Sequence, residues 1–237
     1  MRRTALVTGA ASGIGRAVVE ALQQDAWVAA VDVAFPESEQ PASLVATADV
    51  TDRGALGEAI GKIVAERGGI DWVVCAAGIV HDCVSWRMTD AQWDDVIRVN
   101  LTGAFNTARV ATEFLRQSSC GRLLFVGSIN GMRGKFGQAN YAASKAGLIG
   151  LARSLALELA WDGVTVNVVA PGFVDTPMTR ALHTKLREGV VARTPLGRMG
   201  QPEEVAAAVR FLCSEAAGFI TGVVLPVDGG QLLGAAS

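Results

Sequence analysis

The sequence predicts a doubly wound α/β domain, a central parallel sheet with helices on both faces. Three observations carry that expectation. Short β-branched or apolar runs alternate with amphipathic segments along the chain, the order that joins parallel strands by crossover helices. The first apolar run ends in a glycine-rich turn that opens a helix. The length of 237 residues suits one domain, and no repeat, low-complexity tract or linker divides it.

Taken in order, residues 4–7 read as a buried strand and 13–24 as a helix. Residues 27–31 and 44–47 are strands. The stretch from Asp32 to Asp49 holds Pro36 and Pro41 and is short for a crossover helix of about a dozen residues, so an abbreviated connection is expected. Asp52 suits the N-cap of a helix over 53–66. A strand at 72–75 precedes helices over 91–99 and 101–117, and a strand at 122–126 precedes a long helix over 142–161. Then come a strand at 164–169, a helical stretch around 179–190, a helix at 202–213 and a last strand at 223–227. Right-handed crossovers turn this order into a Rossmann-type sheet within a single domain, 1–237. Residues 173–200, rich in Pro, Gly and charge, follow the carboxyl end of a strand and read as a substrate lobe or lid.

Composition excludes several functions. Half of the residues are hydrophobic, 19% are charged and the net charge is −2, which rules out a disordered chain and leaves no electrostatic footprint for nucleic acid. Cys75, Cys83, Cys120 and Cys213 form no Cys-x-x-Cys pair, and His81 and His183 are far apart, so no metal site is expected. Residues 1–4 run straight into an apolar strand and Gly9, too soon for a signal peptide. Apolar stretches such as 216–227 fall short of the ~20 residues that span a bilayer. The expectation is a soluble, reduced, cytoplasmic protein with no nucleic-acid or membrane partner.

The turn Gly9-Ala-Ala-Ser12-Gly13-Ile14-Gly15 lets backbone approach a pyrophosphate, with the helix N-terminus supplying oriented N–H groups. Alone it is equally a tight strand–helix turn; its place after the first strand favours the cofactor reading. Asp32, at the end of the second strand, suits the adenosine-ribose hydroxyls and repels a 2′-phosphate. NAD is therefore expected over NADP, with Arg16 the one nearby base that keeps NADP open. Farther along, Ser128 follows a strand, and Tyr141 and Lys145 stand four apart on a helix, hence on one face. A neighbouring ammonium and a cationic nicotinamide ring favour the phenolate, so Tyr141 is expected to be pulled from the ordinary phenol pKa near ~10 toward a useful general acid/base range. Ser128 would hydrogen-bond the same substrate oxygen.

With these motifs the chain resembles the short-chain dehydrogenase/reductase family over essentially its whole length. The resemblance implies a cofactor loop at Gly9, Ser12, Gly13, Ile14 and Gly15, an NAD-selecting acid at Asp32 and adenine contacts at Asp49 and Val50. It implies cofactor contacts at Ala76, Ala77 and Gly78, and a nicotinamide grip at Pro171, Gly172, Val174 and Thr176. Asn100, Ser128, Tyr141 and Lys145 match the catalytic tetrad, Asn100 holding a relay water and Lys145 also binding the nicotinamide ribose. Cys75 departs from the family's usual asparagine; altered local hydrogen bonding and an inert buried thiol are expected there.

Residues 137–150 and 195–200 resemble the 3-oxoacyl-thioester reductases within the family. Those enzymes normally use NADPH, whereas Asp32 points to NAD. Where the resemblance places basic residues that dock an acyl carrier protein, this chain has Ser118-Ser119 and Trp161-Asp162. A CoA thioester, a ketone or a secondary alcohol is as plausible a substrate. Asn130, Met132, Gln138, Phe173, Met178 and Leu182 are candidate pocket walls, with ordinary core or lid packing the plainer reading; Arg133 could meet an anionic group but reads more simply as an exposed loop residue. The resemblance further implies pairing of the 101–117 and 142–161 helices across subunits, as a homotetramer or homodimer. Two rivals stand beside the NAD-dependent oxidoreductase: an NADPH-dependent 3-oxoacyl-[acyl-carrier-protein] reductase, and a non-catalytic nucleotide sensor or scaffold.

Overall fold

The computed structural model describes residues 2–36 and 42–234. Seven parallel strands lie in the order β3-β2-β1-β4-β5-β6-β7. They are β1 (Arg3–Thr8), β2 (Ala26–Asp32), β3 (Leu44–Thr47), β4 (Trp72–Cys75), β5 (Arg122–Val126), β6 (Thr165–Pro171) and β7 (Val224–Val227). The helices are α1 (Gly13–Leu22), α2 (Arg53–Arg67), α3 (Asp90–Ile97), α4 (Ala104–Gln117), α5 (Asn130–Arg133), α6 (Ala139–Leu159), α7 (Pro177–Arg180), α8 (Thr184–Val191) and α9 (Pro202–Cys213). No helix of the described residues is long and apolar enough to cross a membrane.

Each face of the sheet has its own core. On one face Leu56, Ile60 and Ile63 of α2, Ala108, Ala111 and Leu115 of α4, and Leu148, Ala152 and Leu159 of α6 pack on Leu6, Val73, Leu123 and Phe125. On the other, Val18, Val19 and Leu22 of α1 and Val205, Val209 and Leu212 of α9 pack on Val7, Val28, Val74 and Leu124. Strands buried on both faces are near-continuous apolar runs, which is why they were readable as such. Burying each such Leu or Val contributes about 1.5–3 kcal/mol, so the two cores hold the sheet and leave the loops at its carboxyl edge free for chemistry.

The strand order reverses between β1 and β4, so the loops after these two strands part and open a crevice. Local chemistry sets the ends of the flanking elements. Asp52 caps α2 by accepting the N–H groups of Gly54 and Ala55 at 2.8 and 3.1 Å, and Gly68 ends the helix at φ +80°. Between β2 and β3 the described residues hold no helix, in keeping with the abbreviated connection; residues 37–41, with Pro41, lie outside the described residues.

Three expectations needed adjusting. The helix expected from 142 begins at Ala139, because the Asn140 Oδ1 accepts the Tyr141 N–H at 2.7 Å and closes the first turn from inside. The two helices expected to meet at Asn100 are joined by a π-helical turn, Arg98–Gly103. The stretch expected around 179–190 is two helices, α7 and α8.

Candidate active site

A cleft of ≈ 370 Å³ occupies the crevice at the carboxyl edge of the sheet. The glycine turn forms its floor. A Cβ on Gly9 would lie 2.5 Å from the Ala77 amide nitrogen, and one on Gly15 would lie 1.9 Å from the Gly9 carbonyl oxygen. These two glycines let the loops after β1 and β4 touch and the α1 N-terminus tuck under the turn. Gly13, at φ +55°, faces Thr176. The α1 N-terminus, with no acid in its first turn, is thus bare toward the cleft, an arrangement that fits a dinucleotide pyrophosphate.

All the residues expected at the cofactor except Asn100 line this cleft: Gly9, Ser12, Gly13, Ile14, Gly15, Asp32, Asp49, Val50, Ala76, Ala77, Gly78, Tyr141, Lys145, Pro171, Gly172, Val174 and Thr176. At one end Asp32 accepts the N–H of Ala11 at 2.9 Å and that of Val33 at 2.7 Å. At the other stand Ser128, Tyr141 and Lys145. The wall also includes Val33, Ala48, Ile79, Val99, Val126 and Pro177, unnamed from sequence because apolar wall residues look like any core residue.

Asn100 is fully buried behind the cleft wall, on the π-helical turn. Its Oδ1 accepts the Ile79 N–H at 2.8 Å, and its Nδ2 donates to the Ile79 carbonyl at 3.0 Å and to Ser144 Oγ at 3.2 Å. Ser144 in turn donates to the Tyr141 carbonyl at 2.8 Å. Asn100 therefore clamps the loop after β4 to the first turn of α6, which carries the tyrosine. Asn140 adds to the clamp, donating to the His81 and Gln92 carbonyls at 3.1 and 2.9 Å; nothing in its sequence context marked it out.

Lys145 is buried and donates to the Val126 carbonyl at 2.9 Å, with its Nζ 5.6 Å from the Tyr141 ring centroid. Burial pulls its pKa down to about 8. Burial pushes the Tyr141 pKa up, the Ser128 hydrogen bond lowers it, and the Asp82 carboxylate raises it further. Desolvation of the phenolate is the largest of these influences, and Lys145 is not among them. Cys75 donates weakly to the Ala104 carbonyl at 3.8 Å, and burial pushes its thiol up to about 12.

Of the expected substrate residues, Met178 lines the cleft. Asn130 and Gln138 join in a hydrogen bond of 3.0 Å beside Ser128. Phe173 lines a separate cavity of ≈ 270 Å³ with Leu196 and Arg198. The reason is alternation: Val174 bridges Gly200 in extended backbone and faces the cleft, so its neighbour Phe173 points the other way. Arg133 donates to the Gln231 carbonyl at 3.0 Å. Among the described residues no three His, Cys, Asp or Glu side chains cluster to hold a metal ion.

Comparison with known proteins agrees with this geometry. The family model described as enoyl-(acyl carrier protein) reductase matches residues 9–231. The chain is 44% identical over 233 residues to the 3-oxoacyl-[acyl-carrier-protein] reductase MabA of Mycobacterium tuberculosis, covering 98% of this chain and 94% of that one. It is 43% identical over 241 residues to the 3-oxoacyl-[acyl-carrier-protein] reductase FabG of Escherichia coli (strain K12), covering 98% of each. The crystal structure of gox2181 superposes with a TM-score of 0.93 at 34% identity, covering 98% of this chain and 96% of that one. The chain belongs to the short-chain dehydrogenase/reductase family and is an oxidoreductase of CH–OH groups that works with a nicotinamide cofactor.

Proposed function

We propose that this protein reduces the 3-carbonyl of 3-oxoacyl thioesters, using NADH, with the acyl group carried on coenzyme A. The observation that carries the reading is that Ser128, Tyr141 and Lys145 share one cleft with Asp32, in a chain whose relatives are named 3-oxoacyl-[acyl-carrier-protein] reductases. A bound nicotinamide dinucleotide supplies the hydride. The chain does the rest. Gly9, Ser12, Gly13, Ile14 and Gly15 bring backbone N–H groups to the pyrophosphate, while Asp49 and Val50 border the adenine. Ala76, Ala77, Gly78, Pro171, Gly172, Val174 and Thr176 border the nicotinamide half.

Tyr141 holds its proton in the free site and gives it to the carbonyl oxygen as charge develops there. Ser128 Oγ accepts the Asn130 N–H at 3.1 Å and its hydroxyl hydrogen-bonds Tyr141, so its proton sits beside the phenol and would turn from it to the same substrate oxygen. Lys145 spends one hydrogen on Val126 and keeps the others for ribose hydroxyls. Both amide hydrogens of Asn100 are engaged and its Oδ1 holds the Ile79 N–H, so a relay water would fall to its main-chain carbonyl.

Asp32 supports NADH over NADPH, and Arg16, the nearby base, donates from Nε to Glu20 at 2.8 Å. Coenzyme A is favoured over a carrier protein because the sequence places no base at the positions that would dock the carrier, and the neighbouring arginines are already paired with acids. Ser119 accepts from Arg3 at 3.1 Å, and Asp162 holds Arg116 at 2.7 Å. Residues 173–200, with Met178 at the cleft, form the substrate lobe within the one domain. Phe105 on α4 and Leu157 on α6 stay exposed in the protomer and fit a subunit interface that builds a homotetramer.

The test is NAD(P)H oxidation with a 3-oxoacyl-CoA, the same acyl group on a carrier protein, and simple ketones. Turnover of the CoA ester with a clear NADH preference is expected. Reduction of simple ketones alone overturns the substrate; an NADPH preference overturns the role of Asp32.

A further inference from the structure

The loop after β4 and the start of α6 meet beside the Ser128–Tyr141 pair, and a chain of hydrogen bonds joins them, its two side-chain amides both donating toward Asp82. Gln138, buried just ahead of α6, donates from Nε2 to Asp82 Oδ1 at 2.8 Å. Asn130 donates from Nδ2 to Gln138 Oε1 at 3.0 Å. The Asn130 main-chain N–H donates to Ser128 Oγ at 3.1 Å. The loop is pinned to the same helix start by the Cys83 N–H on the Gly137 carbonyl at 2.8 Å and by Asn140 Nδ2 on the His81 carbonyl at 3.1 Å.

The end group dictates the direction. A carboxylate only accepts, so Gln138 turns its NH₂ to Asp82 and offers its carbonyl to Asn130. Asn130 then turns its NH₂ to Gln138, which leaves its Oδ1 buried without a partner. A buried orphan acceptor is disfavoured, so this direction needs an acceptor-only group to impose it.

We propose that Asp82 is a positioning residue for the reacting end of the cleft, acting through Gln138 and the Asn130 side chain to hold in place the Asn130 main chain, whose N–H anchors Ser128 Oγ. This inference rests on the roles given above to Ser128 and Tyr141. The carboxylate also acts on the phenol through space, and with burial it keeps the Tyr141 proton in place. The groups around the phenol are Asp82 from the loop after β4, Ser128 from the loop after β5 and Lys145 from its own helix. Among the described residues Asp82 has no cationic partner within ion-pair distance.

Tyr141 is the only tyrosine of the chain, so the ultraviolet absorbance of ionised phenol titrates this one group in the intact protein, without substrate. Asp82→Asn removes the charge and keeps the shape; Gln138→Leu cuts the chain and keeps the charge. The phenol titration is expected to move to lower pH in Asp82→Asn, and less in Gln138→Leu. Each change should lower kcat for 3-oxoacyl-CoA about tenfold with little change in KM, since misaiming costs the reacting geometry and not binding. The double variant should be no slower than the slower single, as befits members of one chain. An unmoved titration in Asp82→Asn, an unchanged kcat in both single variants, or losses that multiply in the double variant each overturn the proposal. If the wild-type protein turns over no 3-oxoacyl thioester, the functional reading falls by itself, and the phenol titration still decides the role of Asp82.

Discussion

Asp32 reaches across the mouth of the cleft to the glycine turn, where its Oδ2 accepts the Ala11 N–H at 2.9 Å. The other oxygen accepts the Val33 N–H at 2.7 Å, so two backbone donors fix the carboxylate in place. Hydrogen bonds to a charged group contribute roughly 1.5–3 kcal/mol each, more than a surface side chain gains by swinging away. An adenosine-ribose hydroxyl can share the remaining lone pairs; a 2′-phosphate meets a fixed negative charge. Asp32→Ser is therefore expected to raise kcat/KM for NADPH relative to NADH by about tenfold or more, a repulsion of roughly 1.4 kcal/mol or above. Initial rates with both cofactors measure it. The same ratio in wild type and variant would remove Asp32 from cofactor selection.

Tyr141 is expected to separate chemistry from binding. Tyr141→Phe removes the proton donor and keeps the ring that Lys145 packs against. The loss in kcat should be about 10²–10⁴-fold, the scale of general acid catalysis, with cofactor affinity nearly unchanged. Stopped-flow turnover and a separate dinucleotide titration distinguish the two. A variant that keeps its rate would disprove the mechanism.

The glycine turn makes a ranked prediction. Gly15→Ala puts a Cβ 1.9 Å from the Gly9 carbonyl oxygen, backbone that cannot step aside. It should destabilise the fold by about 2–4 kcal/mol and abolish dinucleotide binding. Gly13→Ala meets Thr176 only at 3.5 Å, ordinary contact, but stands at φ +55°. Its cost is the left-handed backbone alone, about 1–2 kcal/mol. Thermal unfolding of both proteins checks the order; a milder Gly15→Ala would contradict the packing described for the turn.

Much of this was legible in the sequence because buried parallel strands are continuous apolar runs and the glycine turn has a fixed place after the first of them. What was not legible came from three-dimensional neighbours. The π-helical turn at Asn100 inserts a residue without a signature, so the sequence shows two abutting helices there. The early start of α6 depends on Asn140, an internal cap that no N-cap pattern marks. Phe173 and Val174 are equally apolar, and only the bridge to Gly200 decides which one faces the cleft. For Tyr141, the spacing to Lys145 was visible, whereas the burial that dominates its proton affinity was not.

Lys145 ties proton chemistry to stability, and the sign can be worked out. Its pKa falls from an unfolded value near 10.5 to about 8 in the fold, because a buried ammonium is poorly solvated. Between those two values the unfolded chain binds more protons than the native one, so stability rises with pH across the window. Below pH 8 both states carry the charge and the full burial cost is present. The gain across the window is about 3 kcal/mol at most, from 1.36 kcal/mol for each pH unit. Lys145→Met, which cannot titrate, removes this contribution and leaves the other ionisable groups largely as they were. The wild-type protein should therefore gain stability relative to Lys145→Met as pH rises from about 8 toward 10, measured by urea unfolding at each pH. A stability difference that stays flat over this range would mean that Lys145 keeps an ordinary pKa and that its ammonium is better solvated than its burial beside Val126 implies.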